Sequence, residues 1–188
     1  MAGPCGATRK ASFCPGGMML KQYLLDNAES ILSRWFDCFL EDYHPDGSGF
    51  MRREKDRFHN PVGQTFASET RQVYFALLDD KNIENLAESL RSILKIRAIQ
   101  DISASRAVAP VLALKDAIRL ELKTDASHLD FAVELADLET KIDRAALLAF
   151  DIYTECREKI HQIRIKEIRN RSISIMQAAR ETSTPQTD

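Results

Sequence analysis

The chain has 188 residues, a formal net charge of −2 and a sequence pI near 6.1, with 44% hydrophobic and 29% charged residues. This length is sufficient for one domain with a hydrophobic core, and the nearly balanced charge gives no general attraction to nucleic acid. No apolar run approaches the roughly 20 residues that a transmembrane helix needs, so we expect no membrane insertion.

The four cysteines indicate no metal site. Cys5, Cys14, Cys38 and Cys156 show neither a CxxC pair nor a Cys/His spacing typical of zinc ligands. We interpret them as reduced thiols, and the N-terminus lacks the apolar segment of a signal peptide. Together these features predict a cytoplasmic protein without a metal.

Composition divides the chain into a helical domain and two polar ends. Residues 1–17 are rich in Gly, Pro and Ser and are predicted to be disordered, so Met1, Met18 and Met19 are alternative starts. Residues 18–180 are predicted to form the domain, and the polar residues 181–188 a disordered tail.

The first predicted helix runs from Leu20 to Glu41, because apolar residues recur every three or four positions. Trp35 lies on this apolar face, where an aromatic side chain is more often core than ligand-stacking surface, and both roles stay open. A turn over residues 42–48 and a short helix over residues 49–57 are predicted to follow.

A charged turn, residues 55–63 with the sequence KDRFHNPVG, interrupts the helical pattern. Asn60 followed by Pro61 predicts a helix N-cap with proline at the first helical position, and the helix should extend to Leu78. The turn also carries Lys55, Asp56, Arg57, Phe58 and His59, and Gly63 lies in the first turn of the helix. Its charges could bind an anion at the helix start, but a solvated, self-paired run is the simpler interpretation.

Two helices are predicted next, from Ile83 toward Ile99 and from about Ala107 to Lys123, with Ser103 or Ser105 as the cap of the second. Arg97, Gln100 and Asp101 are polar groups where the first of them ends. They could cap a helix junction, but we expect them to pair with the charged turn, either as Arg57 with Asp101 or as Asp56 with Arg97.

The last predicted helix is the longest, from Leu129 to about Met176, without Gly or Pro. Its apolar residues alternate steps of four and three, which indicates either a seam between two copies or ordinary core. Acidic residues dominate its first half and basic residues the segment 157–171, which suits the helix dipole better than nucleic-acid or membrane binding. The apolar stripe comprises Leu138, Ile142, Ala145, Ala149, Ile152 and Cys156.

No catalytic motif is present: the sequence has no P-loop, no GxGxxG and no convincing Ser/His/Asp set, which predicts a non-enzymatic protein. The order of helix lengths invites comparison with globins. Haem in a globin needs a proximal histidine on a pocket-lining helix. No histidine occurs between His59 and His128, where those helices lie, so no cofactor is expected unless His59 binds haem from the turn.

Two segments carry a family resemblance. KDRFHNPVG, together with KIRAIQDISASRAV at residues 95–108, resembles the KDRFANPVG and RIRAVQDFSPSQAV patterns of the RsbRD N-terminal domain family, the sensory domains of RsbT co-antagonist (stressosome) proteins. The resemblance covers roughly residues 20–170. His59 stands where alanine is common and Ala104 where proline is common, and we expect a stand-alone sensory domain without a STAS domain.

The resemblance implies a haem-free, dimeric sensor of globin-like fold. We therefore expect an all-α, globin-like bundle of about six helices with a long C-terminal helix, which signals in the stress response to an unidentified protein partner. The homodimer would pair through the first and last helices. Two alternatives stay open: a small-ligand or haem sensor with a pocket lined by Trp35, Phe58 and His59, and an accessory subunit of an anaerobic respiratory redox complex.

Overall fold

The computed structural model describes residues 16–79, 83–123 and 131–182. These residues form seven α-helices: α1 (Gly16–Asp26), α2 (Ala28–Leu40), α3 (Pro45–Arg53), α4 (Pro61–Leu78), α5 (Ile83–Ile99), α6 (Ala104–Lys123) and α7 (Ala132–Thr182). No strand occurs among them. The predicted all-α fold with a long last helix is confirmed, and the globin-like arrangement stays a prediction.

The predicted first helix is two helices, because the chain bends at Asn27. The Asn27 side-chain amide donates a hydrogen bond to the Tyr23 carbonyl at 2.9 Å, where the Asn27 backbone N–H also donates at 3.1 Å. An asparagine that competes in this way for a backbone carbonyl favours the end of a helix over its interior. The prediction of about six helices was therefore one short.

The short helix α3 begins earlier than predicted. Pro45 lies at its first position, and His44 is the N-cap, whose Nδ1 accepts from the Asp46 N–H at 3.4 Å. Proline at the first helical position needs no N–H, so the prediction of a turn over the whole of residues 42–48 was wrong. The helix ends at Arg53, since Glu54 is extended, with φ −79° and ψ 115°.

The next helices agree with their predicted limits. Helix α4 spans the predicted residues, α5 reaches Ile99, and α6 follows directly after Ser103, whose carbonyl accepts from the Ala107 N–H at 2.9 Å. The predicted first residue of the last helix, Leu129, lies outside the described residues, as do residues 1–15 and 183–188 of the predicted disordered ends.

The core lies between α2, α4, α5, α6 and the first half of α7. Polar groups of its aromatic residues are satisfied by backbone: Trp35 Nε1 donates to the Pro110 carbonyl at 2.6 Å, and the Tyr74 hydroxyl to the Leu24 carbonyl at 2.8 Å. Burial raises the pKa of the Cys156 thiol, which is free and protonated. Within the described ranges, no helix is both long enough and apolar enough to span a bilayer.

Helix α7 belongs to the core only in its first half. The apolar stripe predicted as a seam is buried there against α5 and α6, so the structure supports the core interpretation for all six residues. Beyond Ile160, every residue from 161 to 177 is exposed. We call residues 161–177 the α7 extension.

The two halves of α7 should respond differently to truncation. Ile142 is fully buried and Ile163 is 59% exposed, on the same helix and with the same side chain. We expect Ile142→Ala to lower the free energy of unfolding by about 2–5 kcal/mol because it leaves a cavity. Ile163→Ala should change it by less than about 0.5 kcal/mol. Urea unfolding followed by circular dichroism measures both, and equal losses would contradict this division.

Candidate functional site

The charged turn is held together by the side chain of Asn60, which is only 2% exposed. Its Oδ1 accepts from the Gly63 N–H at 2.9 Å, as predicted for an N-cap, and its Nδ2 donates to the carbonyls of Met51 and Glu54, each at 2.9 Å. A Cβ at residue 63 would lie 2.4 Å from Asn60 Nδ2, so only glycine fits there. Asn60 and Gly63 therefore have a structural role.

The residues between Glu54 and Asn60 form a second set of local bonds. Asp56 Oδ1 accepts from the Phe58 N–H at 2.8 Å, and Asp56 Oδ2 lies 3.0 Å from His59 Nδ1. Lys55, Arg57 and Phe58 project outward, and Phe58 is 95% exposed. The turn is thus self-paired through Asp56, in agreement with the simpler interpretation of its charges.

Arg97 is fully buried between α2 and α4. It lies 5.5 Å from the ring centre of Phe39 and 6.0 Å from that of Phe66. Nη1 donates to Asp42 at 2.7 Å and Nη2 to the Phe39 carbonyl at 3.0 Å, while Nε has no partner. Arg106 also pairs with Asp42, so one carboxylate joins α5 and α6 to the end of α2.

The pKa of Asp42 reflects this arrangement. Burial alone would raise it, but the hydrogen bonds from Arg97 and Arg106 outweigh burial, and the pKa of Asp42 lies below its ordinary value. The carboxylate is therefore ionised wherever the protein is folded near neutral pH, which is the condition for keeping a guanidinium out of water.

The predicted ion pairs between the two motif segments were wrong. Arg97 pairs with Asp42 rather than Asp56, and Asp101 pairs with Arg157 rather than Arg57. The sequence shows an acid at Asp42 but gives no means of choosing among the acids near it, because ion pairs between distant elements depend on how the helices cross.

The α5–α6 turn is fastened to α7 at the point where α7 leaves the body. Arg157 donates to the Ala98 carbonyl at 3.0 Å and pairs with Asp101, whose φ is +60°. The Tyr153 hydroxyl donates to the Ile102 carbonyl. Sequence reasoning missed Arg157 and Tyr153 as partners of this turn.

Gln100 connects the same α5–α6 turn to Tyr43, which follows α2. Its side-chain amide donates to the Tyr43 hydroxyl at 2.6 Å, and the Tyr43 ring packs edge-on against Phe66 at 6.3 Å between centres. Arg97, Gln100 and Asp101, which were singled out from the sequence, thus connect α2, α4 and α7 through one turn.

The ligand pocket predicted from Trp35, Phe58 and His59 does not form. Trp35 is fully buried and hydrogen bonded to Pro110, whereas Phe58 is almost completely exposed. His59 is a surface residue paired with Asp56. Across the described parts of the chain, no group of three or more His, Cys, Asp or Glu side chains is placed to hold a metal ion.

Opposite its buried face, helix α7 carries exposed apolar residues at both ends of a face whose middle holds Thr154 and His161, and we call this face the outer stripe. Leu147, Thr154, His161, Ile168 and Ile175 follow at seven-residue intervals, all exposed, and Phe150, Ile165 and Met176 widen the stripe. A seven-residue interval keeps side chains on one face of a helix. The sequence analysis missed this face because it followed only the buried stripe.

The comparison with known families agrees with the two motif segments. The family model described as "RsbT co-antagonist protein rsbRD N-terminal domain" matches residues 29–168. No curated protein and no solved structure shows significant similarity to the chain.

Substitution of Asn60 should separate its two roles. Asn60→Asp keeps the N-cap acceptor but removes the donor to the carbonyls of Met51 and Glu54. We expect Asn60→Asp to lower the free energy of unfolding by about 1–3 kcal/mol, because those partly buried acceptors lose their bond, and Asn60→Ala to cost more since the cap is also lost. Asn170→Ala on the exposed extension is the control. Urea unfolding would disprove the double role if Asn60→Asp were as stable as the native chain.

Removal of the Asp42 carboxylate should have a pH-dependent cost. Asp42→Asn leaves Arg97 buried without an anionic partner, and we expect a loss of about 3–5 kcal/mol at neutral pH in urea unfolding. Because the pKa of Asp42 is lowered in the folded state, its stabilisation is complete above the ordinary carboxyl range and is lost as pH falls through the lowered value. The difference between variant and native chain should therefore hold from about pH 7 to 5 and shrink below about pH 4.

The exposed Asp46 provides the control for this experiment. Its side chain is 97% exposed, so Asp46→Asn should change stability by less than about 0.5 kcal/mol at each pH. A loss of under about 1 kcal/mol for Asp42→Asn at neutral pH would show that the buried guanidinium does not depend on this carboxylate.

Proposed function

The chain belongs to the RsbRD N-terminal domain family of RsbT co-antagonist proteins, and on this premise we propose that it is a cytoplasmic sensory and protein-interaction module that acts as a homodimer. It catalyses no reaction and needs no cofactor. It passes a conformational state to a protein partner in a stress response, and the globin-like arrangement of its helices serves as the scaffold.

The outer stripe of α7 is the observation that carries this proposal. Leu147 is 70% exposed and Ile168 is 66% exposed, so exposed apolar residues of this one helix face lie both on the body and on the extension. Isolated apolar residues on a surface are ordinary, but several exposed apolar residues on one face of a helix are typical of an interaction site. A second copy of the chain offers the same face, so that one contact would cover both.

A conformational change in the rest of the domain reaches α7 through the α5–α6 turn. Asp101 and Ile102 hold Arg157 and Tyr153 at the last buried residues of α7. Because α7 is one continuous helix, a shift of this turn relative to the body changes the direction of the extension. The proposed signal therefore leaves through the extension and the outer stripe, where a partner protein would detect it.

Light scattering of the full chain during size-exclusion chromatography tests the homodimer. We expect a single peak at twice the chain mass of 21.3 kDa, without absorbance between 350 and 600 nm. A monomer would contradict the homodimer. A Soret band would favour the haem-sensor alternative with His59 as the first ligand to replace, and co-purification with a membrane complex would favour the respiratory-subunit alternative.

A matched pair of isoleucines on the extension tests which face makes the dimer. Ile168 lies on the outer stripe, and Ile163, of similar exposure, lies about 140° around the helix from it. We expect Ile168→Glu to convert the dimer to a monomer, because it places a charge in the contact, and Ile163→Glu to leave it a dimer. Equal effects in light scattering would show that the outer stripe is not the contact.

A further inference from the structure

A small pocket with a volume of about 250 Å³ lies where the end of α4 and the start of α5 meet the buried half of α7. Its floor belongs to the core, since Leu77 is 4% exposed and Ala145 is 2% exposed. An apolar cavity of about 150 Å³ is sufficient for benzene, so this pocket has room for a compact ring or a short hydrocarbon chain. Its apolar walls are Ala76, Leu77, Leu86, Ala145 and Leu148.

Two bases lie at the opening of this pocket. Lys141 and Arg144 both line it, and Lys141 is half-buried while Arg144 is exposed. Because they are three residues apart on α7, the two bases lie on the same side of the helix and repel one another. Asp79 at the end of α4 is the one acid among the described residues that line the pocket, so the net charge of this lining is +1.

The guanidinium of Arg144 is available to a ligand. Arg144 forms no ion pair with any described residue. Glu139 and Asp143, which precede it on α7, are already paired with bases of α6. Asp137 and Asp151 are each seven residues, about two turns, from Arg144, and neither lines the pocket. The pocket therefore combines apolar walls with an unpaired cation at its opening.

An organic anion matches this combination better than other small molecules. A carboxylate beside Lys141 and Arg144 offsets the repulsion between them, and its two oxygens can accept two hydrogen bonds from one guanidinium. An apolar body attached to the carboxylate displaces water from the leucine walls. A cation would instead meet two bases, and an inorganic anion would leave the apolar walls in contact with water.

We propose that this pocket binds a small monocarboxylate with a compact apolar body, with the carboxylate at Lys141 and Arg144 and the body against Leu77 and Leu148. This inference rests on the proposed sensory function and names the class of ligand that is sensed. The pocket joins α4 and α5 to α7, and Leu148 is next to Leu147 of the outer stripe. A bound carboxylate thus contacts the helix that carries the proposed signal.

Nuclear magnetic resonance titration of the full, nitrogen-15-labelled chain tests this site. The probes are benzoate, phenylacetate, hexanoate and octanoate, each added to about 10 mM, with benzamide and hexanamide as uncharged controls. We expect at least one acid to give saturable shifts of the backbone amides of residues 76–79 and 141–148. The amide of the same body should bind at least about fivefold more weakly, because it lacks the charge.

Substitutions test the charge and the apolar walls separately. Arg144→Gln removes the cation at an exposed position, and we expect carboxylate binding at least about fivefold weaker with amide binding unchanged. Arg164→Gln is the matched control, since Arg164 is an exposed arginine of the same helix outside the pocket. Ala76→Leu narrows the pocket at a half-buried wall and should weaken binding of every probe. Circular dichroism checks that each variant is folded.

The absence of saturable shifts at these residues with all four acids would overturn the proposal. Equal affinity for a carboxylate and its amide would also overturn it, as would equal effects of Arg144→Gln and Arg164→Gln. Light scattering separates this site from the proposed homodimer. A dimer that binds none of the acids leaves the homodimer standing without the ligand site, and a monomer that binds one of them retains the ligand site without the homodimer.

Discussion

The buried ion pair between Arg97 and Asp42 is the constraint on which the arrangement of the helices depends. A guanidinium removed from water is tolerated only where its charge and its hydrogen bonds are matched. Here the end of α2 supplies both, through the Asp42 carboxylate and the Phe39 carbonyl, while aromatic rings of α2 and α4 lie within cation–π distance. The position of the end of α5 is therefore fixed relative to α2 and α4 together.

That fixed end of α5 determines where α7 leaves the body. The turn after Ile99 is anchored on one side by Arg97 and Gln100 and on the other side by Arg157 and Tyr153 of α7. Because its bonds are directional and its two sides belong to different helices, this contact sets the position of α7 relative to α5. This contact also accounts for the concentration of motif residues at the α5–α6 turn. These residues form ion pairs and hydrogen bonds between helices.

Helix α7 has a buried apolar face and exposed apolar residues on the opposite face. The face that begins at Leu138 is covered by α5 and α6 and ends at Cys156. The face that begins at Leu147 overlaps it along the chain and continues to Met176 without cover in the described structure. A heptad repeat is therefore insufficient to identify an interface between copies, since the same spacing also serves a helix packed inside one chain.

The sequence by itself determined the helical class, most helix limits from Asn60 to Lys123, and the N-cap at Asn60, because these depend on periodicity and on local backbone chemistry. It also identified the motif segments. The interruption at Asn27 and the start of α3 at Pro45 were missed. Asparagine can lie inside a helix or end one, and proline can lie in a turn or at the first position of a helix, so the sequence alone does not decide between them. The partners of Arg97 and Asp101 and the separation of the two faces of α7 were decided only by the tertiary structure. Those features depend on which helices cross and how closely, and the crossing is set by the packing of the whole core.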